Sequence, residues 1–277
     1  RHKSKIYQDV LMIPPGGILA VESWLWTPGC GLLAVDSWLW ACGCGLVLVH
    51  GGPTASVRTQ LQLAVAFWTS RGFTVADVDY RGSTGYGRSY RHRLRGGWGV
   101  LDVDDCVAVA RYLSSDDRPS TERVDAERLA IRGGSAGGFT VLAALTFHDV
   151  FSAGASRYGI GDLAALAADT HKFEARYLDR LVGRWPEDEA VYRERSPIHH
   201  VDQLSTPLLL LQGSEDRVVP PAQAHAMAAA LEGRGVPYEL IEFPDEGHGF
   251  RKAANVVRAM EAELAFFADR FGFEVRS

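Results

Sequence analysis

From residue 46 onward, short apolar runs alternate with stretches of helical periodicity, and this order restricts the folds available to the chain. We predict strands in six of these runs: 46–50, 73–82 together with its following loop, 128–133, 153–159, 207–213 and 238–244. Helices are predicted between and after them, at 61–68, 103–113, 138–147, 221–232 and 252–270. Strands separated by helices require right-handed crossovers and a mostly parallel sheet with helices on both faces.

The composition is that of a globular protein, with 277 residues, of which 47% are hydrophobic and 23% are charged. We expect a single α/β domain over residues 1–277, with additional strands in residues 1–45. The net charge of −5 argues against a nucleic-acid or anionic-membrane partner. No apolar run reaches the roughly 18 residues of a membrane span, and the first residues lack the apolar core of a signal peptide, so we expect a cytoplasmic protein.

The four cysteines do not predict a disulfide framework, because a chain of this length can be stabilised by its core. Cys42 and Cys44 have no second Cys/His pair at a zinc-binding spacing nearby. We therefore expect neither a metal nor a cofactor.

A 14-residue unit at 19–32 recurs at 33–46 with three substitutions. Each copy has the pattern of a strand followed by a turn, so the pair could form a hairpin. An aromatic ligand-binding face is the alternative, formed by Trp24, Trp26, Trp38 and Trp40. We favour strands packed on the sheet, because aromatic residues commonly occupy strands.

Ser135 lies among four glycines in the segment GGSAGG, residues 133–138. Such a segment can be an ordinary flexible turn. However, its G-x-S-x-G spacing lies between a predicted strand and a predicted helix, which is the context of a nucleophile elbow. In that turn the serine has a strained backbone conformation at a helix N-terminus. The segment alone leaves both interpretations open.

A serine nucleophile needs a base to take its proton and a carboxylate to orient that base. In sheets of this kind, the acid and then the histidine follow the serine, on loops after later strands. Asp216 follows the fifth predicted strand and His248 follows the sixth. Glu215 and Asp245 are the nearest rival carboxylates, and we expect both to be solvated loop charges.

The segment HGGP, residues 50–53, follows the first predicted strand. Its Gly51 and Gly52 can present backbone N–H groups to a developing oxyanion, and the N–H of Ala136 would be the second donor. We expect His50 to brace this loop rather than to transfer protons. None of the other histidines follows a late strand with glycines on both sides, and we expect structural roles for His2, His92, His148, His171, His199, His200 and His225.

Seven motifs occur in the order HGGP, DYRGSTGYG, GGSAGG, RYGIGDL, SPIHHV, GSEDRVVP and DEGHGF. Together they resemble the catalytic domain of the prolyl oligopeptidase family, in the branch of acylaminoacyl peptidases and dipeptidyl aminopeptidases. The resemblance spans residues 46–270 and implies an α/β-hydrolase fold. It implies Ser135 as nucleophile, Asp216 as the orienting acid, and His248 as general base and then general acid.

By the same resemblance, Gly52 and Ala136 would donate to the oxyanion, and Tyr158 would lie near the pocket for the side chain preceding the scissile bond. Family members usually carry an N-terminal β-propeller, for which we expect no room here. The polar segment near 161–200 predicts a short helical insertion that overhangs the site.

We therefore predict a serine hydrolase that cleaves peptide or acyl-peptide bonds of short peptides through an acyl-enzyme on Ser135. A carboxylesterase acting on small acyl esters is the alternative enzyme. A non-catalytic module that depends on a missing domain is the alternative of another class. The expected partner is a peptide or small ester substrate, and a homo-oligomer stays open.

Overall fold

A computed structural model of the protein describes residues 8–12, 20–24, 43–120, 122–169 and 177–274. These residues contain eight strands: β1 Gln8–Met12, β2 Ala20–Trp24, β3 Gly45–Val49, β4 Thr74–Val78, β5 Leu129–Gly134, β6 Ala153–Arg157, β7 Leu208–Gly213 and β8 Tyr238–Phe243. They form one sheet in the order β2-β1-β4-β3-β5-β6-β7-β8. Strand β2 runs antiparallel to β1, and the other neighbouring strands pair in parallel. The predicted mostly parallel sheet is confirmed.

The helices in the described residues are α1 Leu63–Thr69, α2 Gly87–His92, α3 Leu101–Ser114, α4 Ala136–Phe147, α5 Leu163–Asp169, α6 Tyr177–Leu181, α7 Glu189–Arg195, α8 Pro221–Arg234 and α9 Ala253–Phe271. Short 3₁₀ helices occupy Ala126–Arg128 and Pro197–Gln203. Helix α2 was not predicted, because its sequence GRSYRH has no apolar periodicity and Tyr90 is its one buried residue.

Both faces of the sheet are buried, which explains the continuous apolar character of the central strands. In β3, Val47 and Val49 belong to the core cluster that includes α3, α4 and α8. The alternate residues Leu46 and Leu48 belong to a second cluster with α1 and α9. This division follows from the period of two in a strand, which sends successive side chains to opposite faces.

The chain between β6 and β7 holds helices α5, α6 and α7, where the insertion was predicted. Arg195 ties this insertion to the loop before α3, because its guanidinium donates to the carbonyls of Gly96 and Trp98 at 2.9 and 3.0 Å. In return, the N–H of Trp98 donates to the carbonyl of Leu181. The insertion is thus fixed to the body of the domain.

The first copy of the repeated unit contributes β2, whose partner in the described chain is β1. Trp26 of the first copy and most of the second copy, with Trp38 and Trp40, lie outside the described residues, so the proposed hairpin and aromatic face stay predictions. Of the cysteines, Cys44 and Cys106 are buried in the core. No helix in the part of the chain that the structure describes combines the length and apolarity needed to cross a membrane.

Candidate active site

Ser135 lies on a tight turn between β5 and α4, with φ 57° and ψ −123°. The turn can form because its flanking glycines have no side chain. A Cβ on Gly133 would lie 2.5 Å from the carbonyl oxygen of Gly137, and a Cβ on Gly137 would overlap the carbonyl of Val49. A positive φ at a non-glycine residue is strained and marks a functional site when the surroundings enforce it.

Ser135 contacts His248, and His248 contacts Asp216. The Oγ of Ser135 lies 2.8 Å from Nε2 of His248, and Nδ1 of the same ring lies 2.8 Å from Oδ2 of Asp216. An ionised carboxylate only accepts hydrogen bonds, so Nδ1 carries the proton and Nε2 is free to accept from the serine hydroxyl. The structure therefore brings together the three residues that the sequence singled out.

The Asp216 carboxylate is held by its own loop. Its Oδ1 accepts from the N–H groups of Val218 and Val219 at 2.8 and 2.9 Å, which leaves Oδ2 for His248. Of the two rival carboxylates, Glu215 is exposed, and the exposed Asp245 pairs with Lys252. Only the carboxylate of Asp216 reaches the imidazole among the described residues.

Glu246, which the sequence analysis did not consider, secures the loop that carries His248. Its buried carboxylate accepts from the N–H groups of Arg251 and Lys252 and from the amide of Asn255. The bond from Asn255 and the two backbone bonds lower the pKa of Glu246. The acidic residue two positions before the histidine in DEGHGF was the available signal, but its burial could not be read from the pattern.

The HGGP loop lies against the elbow. A Cβ on Gly51 would lie 3.0 Å from the carbonyl oxygen of Gly134 and 3.5 Å from the Cβ of Ser135. Gly52 has φ 126°, a backbone conformation that glycine adopts readily and other residues rarely adopt. Within the described chain, no hydrogen bond takes up the N–H of Gly52 or of Ala136. Both donors are therefore available to a negatively charged oxygen.

His50 contacts the loop and the residues beneath it. Its Nδ1 donates to the carbonyl of Gly51 at 2.8 Å, and its Nε2 lies 2.7 Å from the hydroxyl of Ser83. The ring stacks on Tyr80 with centroids 4.3 Å apart. Burial lowers the pKa of His50. The two hydrogen bonds and the ring stacking are the contacts expected of a brace.

Tyr158 follows β6 and has φ 39°. Its ring packs edge-on against His248, with centroids 4.9 Å apart, and against Phe250 at 5.3 Å. A Cβ on Gly134 would lie 3.0 Å from the Tyr158 ring, so the ring also covers the turn before Ser135. Burial raises the pKa of Tyr158. The structure thus places this residue beside both the elbow and the imidazole.

The remaining described histidines have other neighbours. His199 lies 3.8 Å from Asp162, His225 lies 3.0 Å from Glu242, and the ring of His200 packs on Phe147. His2 and His171 lie outside the described residues.

A buried ion cluster beneath the site was also missed. The carboxylate of Glu263 on α9 is fully buried and accepts two bonds of 2.6 Å from Arg157, with Arg132 at 3.0 Å. Burial disfavours the Glu263 carboxylate, but the two guanidinium groups outweigh burial and lower its pKa. The carbonyl of Arg157 accepts from the N–H of Ser135 at 3.0 Å, so the cluster adjoins the elbow.

Comparison with known proteins decides the family. The profile described as "Prolyl oligopeptidase family" matches residues 59–274. The chain belongs to the prolyl oligopeptidase family. Dipeptidyl aminopeptidase BIII of Pseudoxanthomonas mexicana, a similar protein, is 32% identical over 214 residues, which cover 75% of this chain and 30% of that protein. The acylamino-acid-releasing enzyme of Rattus norvegicus is 34% identical over 207 residues, which cover 72% of this chain and 28% of that protein.

Among solved structures, the chain resembles a puromycin-hydrolyzing peptidase of Mycobacterium tuberculosis. The two share 45% sequence identity with a TM-score of 0.85, over 99% of this chain and 40% of the other. This likeness confirms the α/β-hydrolase fold expected for the prolyl oligopeptidase family. The chain spans about 30% of the length of the curated relatives that it matches.

Proposed function

We propose that the protein is a serine hydrolase that cleaves peptide and acyl-peptide bonds of short peptides through an acyl-enzyme on Ser135. The continuous hydrogen-bonded chain from Ser135 through His248 to Asp216 carries this proposal, since both of its bonds measure 2.8 Å. A serine hydroxyl becomes nucleophilic at neutral pH when such a base accepts its proton.

In the first half of the reaction, Nε2 of His248 takes the hydroxyl proton while Oγ of Ser135 bonds to the substrate carbonyl carbon. The carbonyl π electrons move onto its oxygen, which becomes an oxyanion. His248 then gives the proton to the departing amine as the C–N bond breaks, which leaves an acyl-enzyme. In the second half, water gives a proton to His248 and adds to the acyl carbon, and Oγ leaves and recovers that proton from His248.

The N–H groups of Gly52 and Ala136 are the proposed oxyanion donors. They lie on the HGGP loop and at the first residue of α4, the two segments that flank Ser135. Such fixed donors stabilise charge that develops in the transition state, and removal of one donor typically lowers kcat by about 10²- to 10³-fold. The N-terminus of α4 adds its partial positive charge at the same place.

The relatives suggest the substrate class. Their names refer to dipeptidyl aminopeptidase, acylamino-acid-releasing enzyme and puromycin-hydrolyzing peptidase activities. We propose that this chain acts on amide bonds made by the carboxyl group of an amino acid. The test compares kcat/KM for puromycin, aminoacyl anilides and acyl-peptides with kcat/KM for short-chain acyl esters. Turnover of the esters with no amide cleavage would assign a carboxylesterase instead.

A fluorophosphonate probe tests the nucleophile independently of the substrate. We expect stoichiometric labelling of the wild-type protein and of Ser70→Ala, whose exposed hydroxyl lies at the end of α1. Ser135→Ala should show no labelling and a loss in kcat of roughly 10⁶-fold, because a triad acts as a unit. An unlabelled wild-type protein would favour a non-catalytic module.

A further inference from the structure

Tyr177, the first residue of α6, reaches from the insertion to the HGGP loop. Its hydroxyl donates to the carbonyl oxygen of Gly52 at 3.1 Å. The hydroxyl of Thr54 lies 3.2 Å from the same Tyr177 oxygen. Because the single phenolic proton is used on Gly52, Thr54 is the donor in this second bond, and the two bonds polarise each other.

Gly52 needs external support to keep its conformation. With φ 126°, it occupies a region where glycine moves freely and other residues rarely occur. The peptide that follows it has only the Gly52 carbonyl as a hydrogen-bonding group, because Pro53 lacks an N–H. The bond from Tyr177 is the one hydrogen bond to that carbonyl within the described chain.

The peptide before Gly52 is held from the other side. Nδ1 of His50 donates to the carbonyl of Gly51. In a planar trans peptide the C=O and N–H groups point in opposite directions, so this bond directs the Gly52 N–H away from His50. His50 and Tyr177 therefore hold the two peptides that meet at the Cα of Gly52. Together they restrict rotation about both backbone bonds of this residue.

The Tyr177 hydroxyl is itself well anchored, although the residue is 39% exposed. Leu178 and Leu181 of the same short helix are buried in the core. The carbonyl of Leu181 also accepts from the N–H of Trp98. The helix therefore supplies a fixed donor to an otherwise adaptable glycine.

We propose that Tyr177 is a positioning residue that sets the direction of the Gly52 N–H, so that the helical insertion controls the oxyanion hole. The inference rests on the proposed function, because it requires Gly52 to donate to the oxyanion. Tyr177 does not contact the reacting atoms. It holds the Gly52 N–H in the direction of the oxyanion. Because negative charge on that oxygen develops only in the transition state, this restraint contributes more to the transition state than to the bound substrate.

Tyr177→Phe tests this role. The variant removes the bond to the Gly52 carbonyl and the bond from Thr54, and loss of the restraint on Gly52 should lower kcat about 3- to 10-fold and leave KM within about twofold. Affinity for a peptide boronic acid, which forms a tetrahedral adduct with the serine, should fall by the same factor as kcat. His50→Ala combined with Tyr177→Phe should lower kcat by less than the product of the single effects, because both side chains restrain Gly52.

Tyr192→Phe is the matched control, because the Tyr192 hydroxyl also donates to a glycine carbonyl, that of Gly183 at 2.7 Å, within the same insertion. This buried residue does not contact the HGGP loop, so its variant should lower the melting temperature and keep kcat within about twofold. Equal losses of kcat in both variants, or a Tyr177→Phe effect confined to KM, would overturn the inference. Turnover and fluorophosphonate labelling of the wild-type protein are measured first. Absence of both would contradict the proposed function itself and not the role of Tyr177.

Discussion

The imidazole of His248 and the hydroxyl of Ser135 lie 2.8 Å apart, although 113 positions separate them in the sequence. Their contact depends on two loops that leave the same end of the parallel sheet, after β5 and after β8. Because Asp216 fixes the ring from its other nitrogen, the pair has a defined tautomer as well as a defined distance.

Asp216→Asn should abolish most activity without unfolding the protein. An amide at this position can hold the ring in the wrong tautomer, with the Nε2 proton facing Ser135, and a loss in kcat of about 10⁴-fold is expected. Steady-state kinetics on an aminoacyl anilide measures it. Asp245→Asn, in the exposed loop before His248, should keep kcat within about twofold, and similar losses in both variants would argue against a specific role for Asp216.

Gly137→Ala should destabilise the fold, because the new Cβ would overlap the carbonyl of Val49 and lie 2.8 Å from that of His50. Both neighbours are backbone atoms and cannot move aside cheaply. We expect a loss of about 1–3 kcal/mol in urea unfolding. Gly233→Ala in α8 meets nothing within 4 Å and should instead stabilise by about 0.5–1 kcal/mol. Equal free energies for the two variants would contradict the steric argument.

Glu263→Gln should be among the most destabilising single changes in the chain. It leaves the Arg157 and Arg132 guanidinium groups without their buried carboxylate, and breaking a buried ion pair in this way costs about 3–5 kcal/mol. Urea unfolding measures the loss. Glu261→Gln, an exposed position on the same helix, should change stability by less than about 0.5 kcal/mol.

Asp102 should make stability depend on pH. Burial raises its pKa from 3.8 to about 6, against the lowering effect of bonds from Thr140 and Gly99. Folding then takes up a proton here between about pH 4 and pH 6, so the stabilisation is complete below pH 4 and is lost as pH rises to 6. The unfolding free energy of wild type minus that of Asp102→Asn should fall by up to about 3 kcal/mol from pH 4 to pH 7. A difference independent of pH would refute the shift.

The strands and the proposed triad were predictable because each has a local signature. Short apolar runs between stretches of helical periodicity mark the strands. Glycines around Ser135 and His248 mark turns whose steric demands are visible in the sequence. The direction of a buried polar side chain has no such signature. Glu263 is surrounded by apolar residues on α9, and nothing in the pattern shows that two arginines from neighbouring strands meet it.

Tyr177 was missed for a related reason. The sequence predicted that an insertion overhangs the site, but which of its side chains reaches Gly52 depends on how α6 docks onto the body of the domain. That docking uses backbone bonds such as the one between Trp98 and Leu181, which any residue could make. Helix α2 was missed because Tyr90 is its one buried residue, so it has no apolar face.

The strand order places the duplicated segment far from the proposed active site. The duplicated segment enters the sheet at β2, one of the two edge strands of the described sheet, and β1, β4 and β3 lie between it and the strand that leads to Ser135. Insertions and duplications at this edge of the sheet can therefore accumulate without moving Ser135, His248 or Asp216. Evolutionary change at this edge of the sheet is therefore expected to leave the geometry of the proposed triad intact.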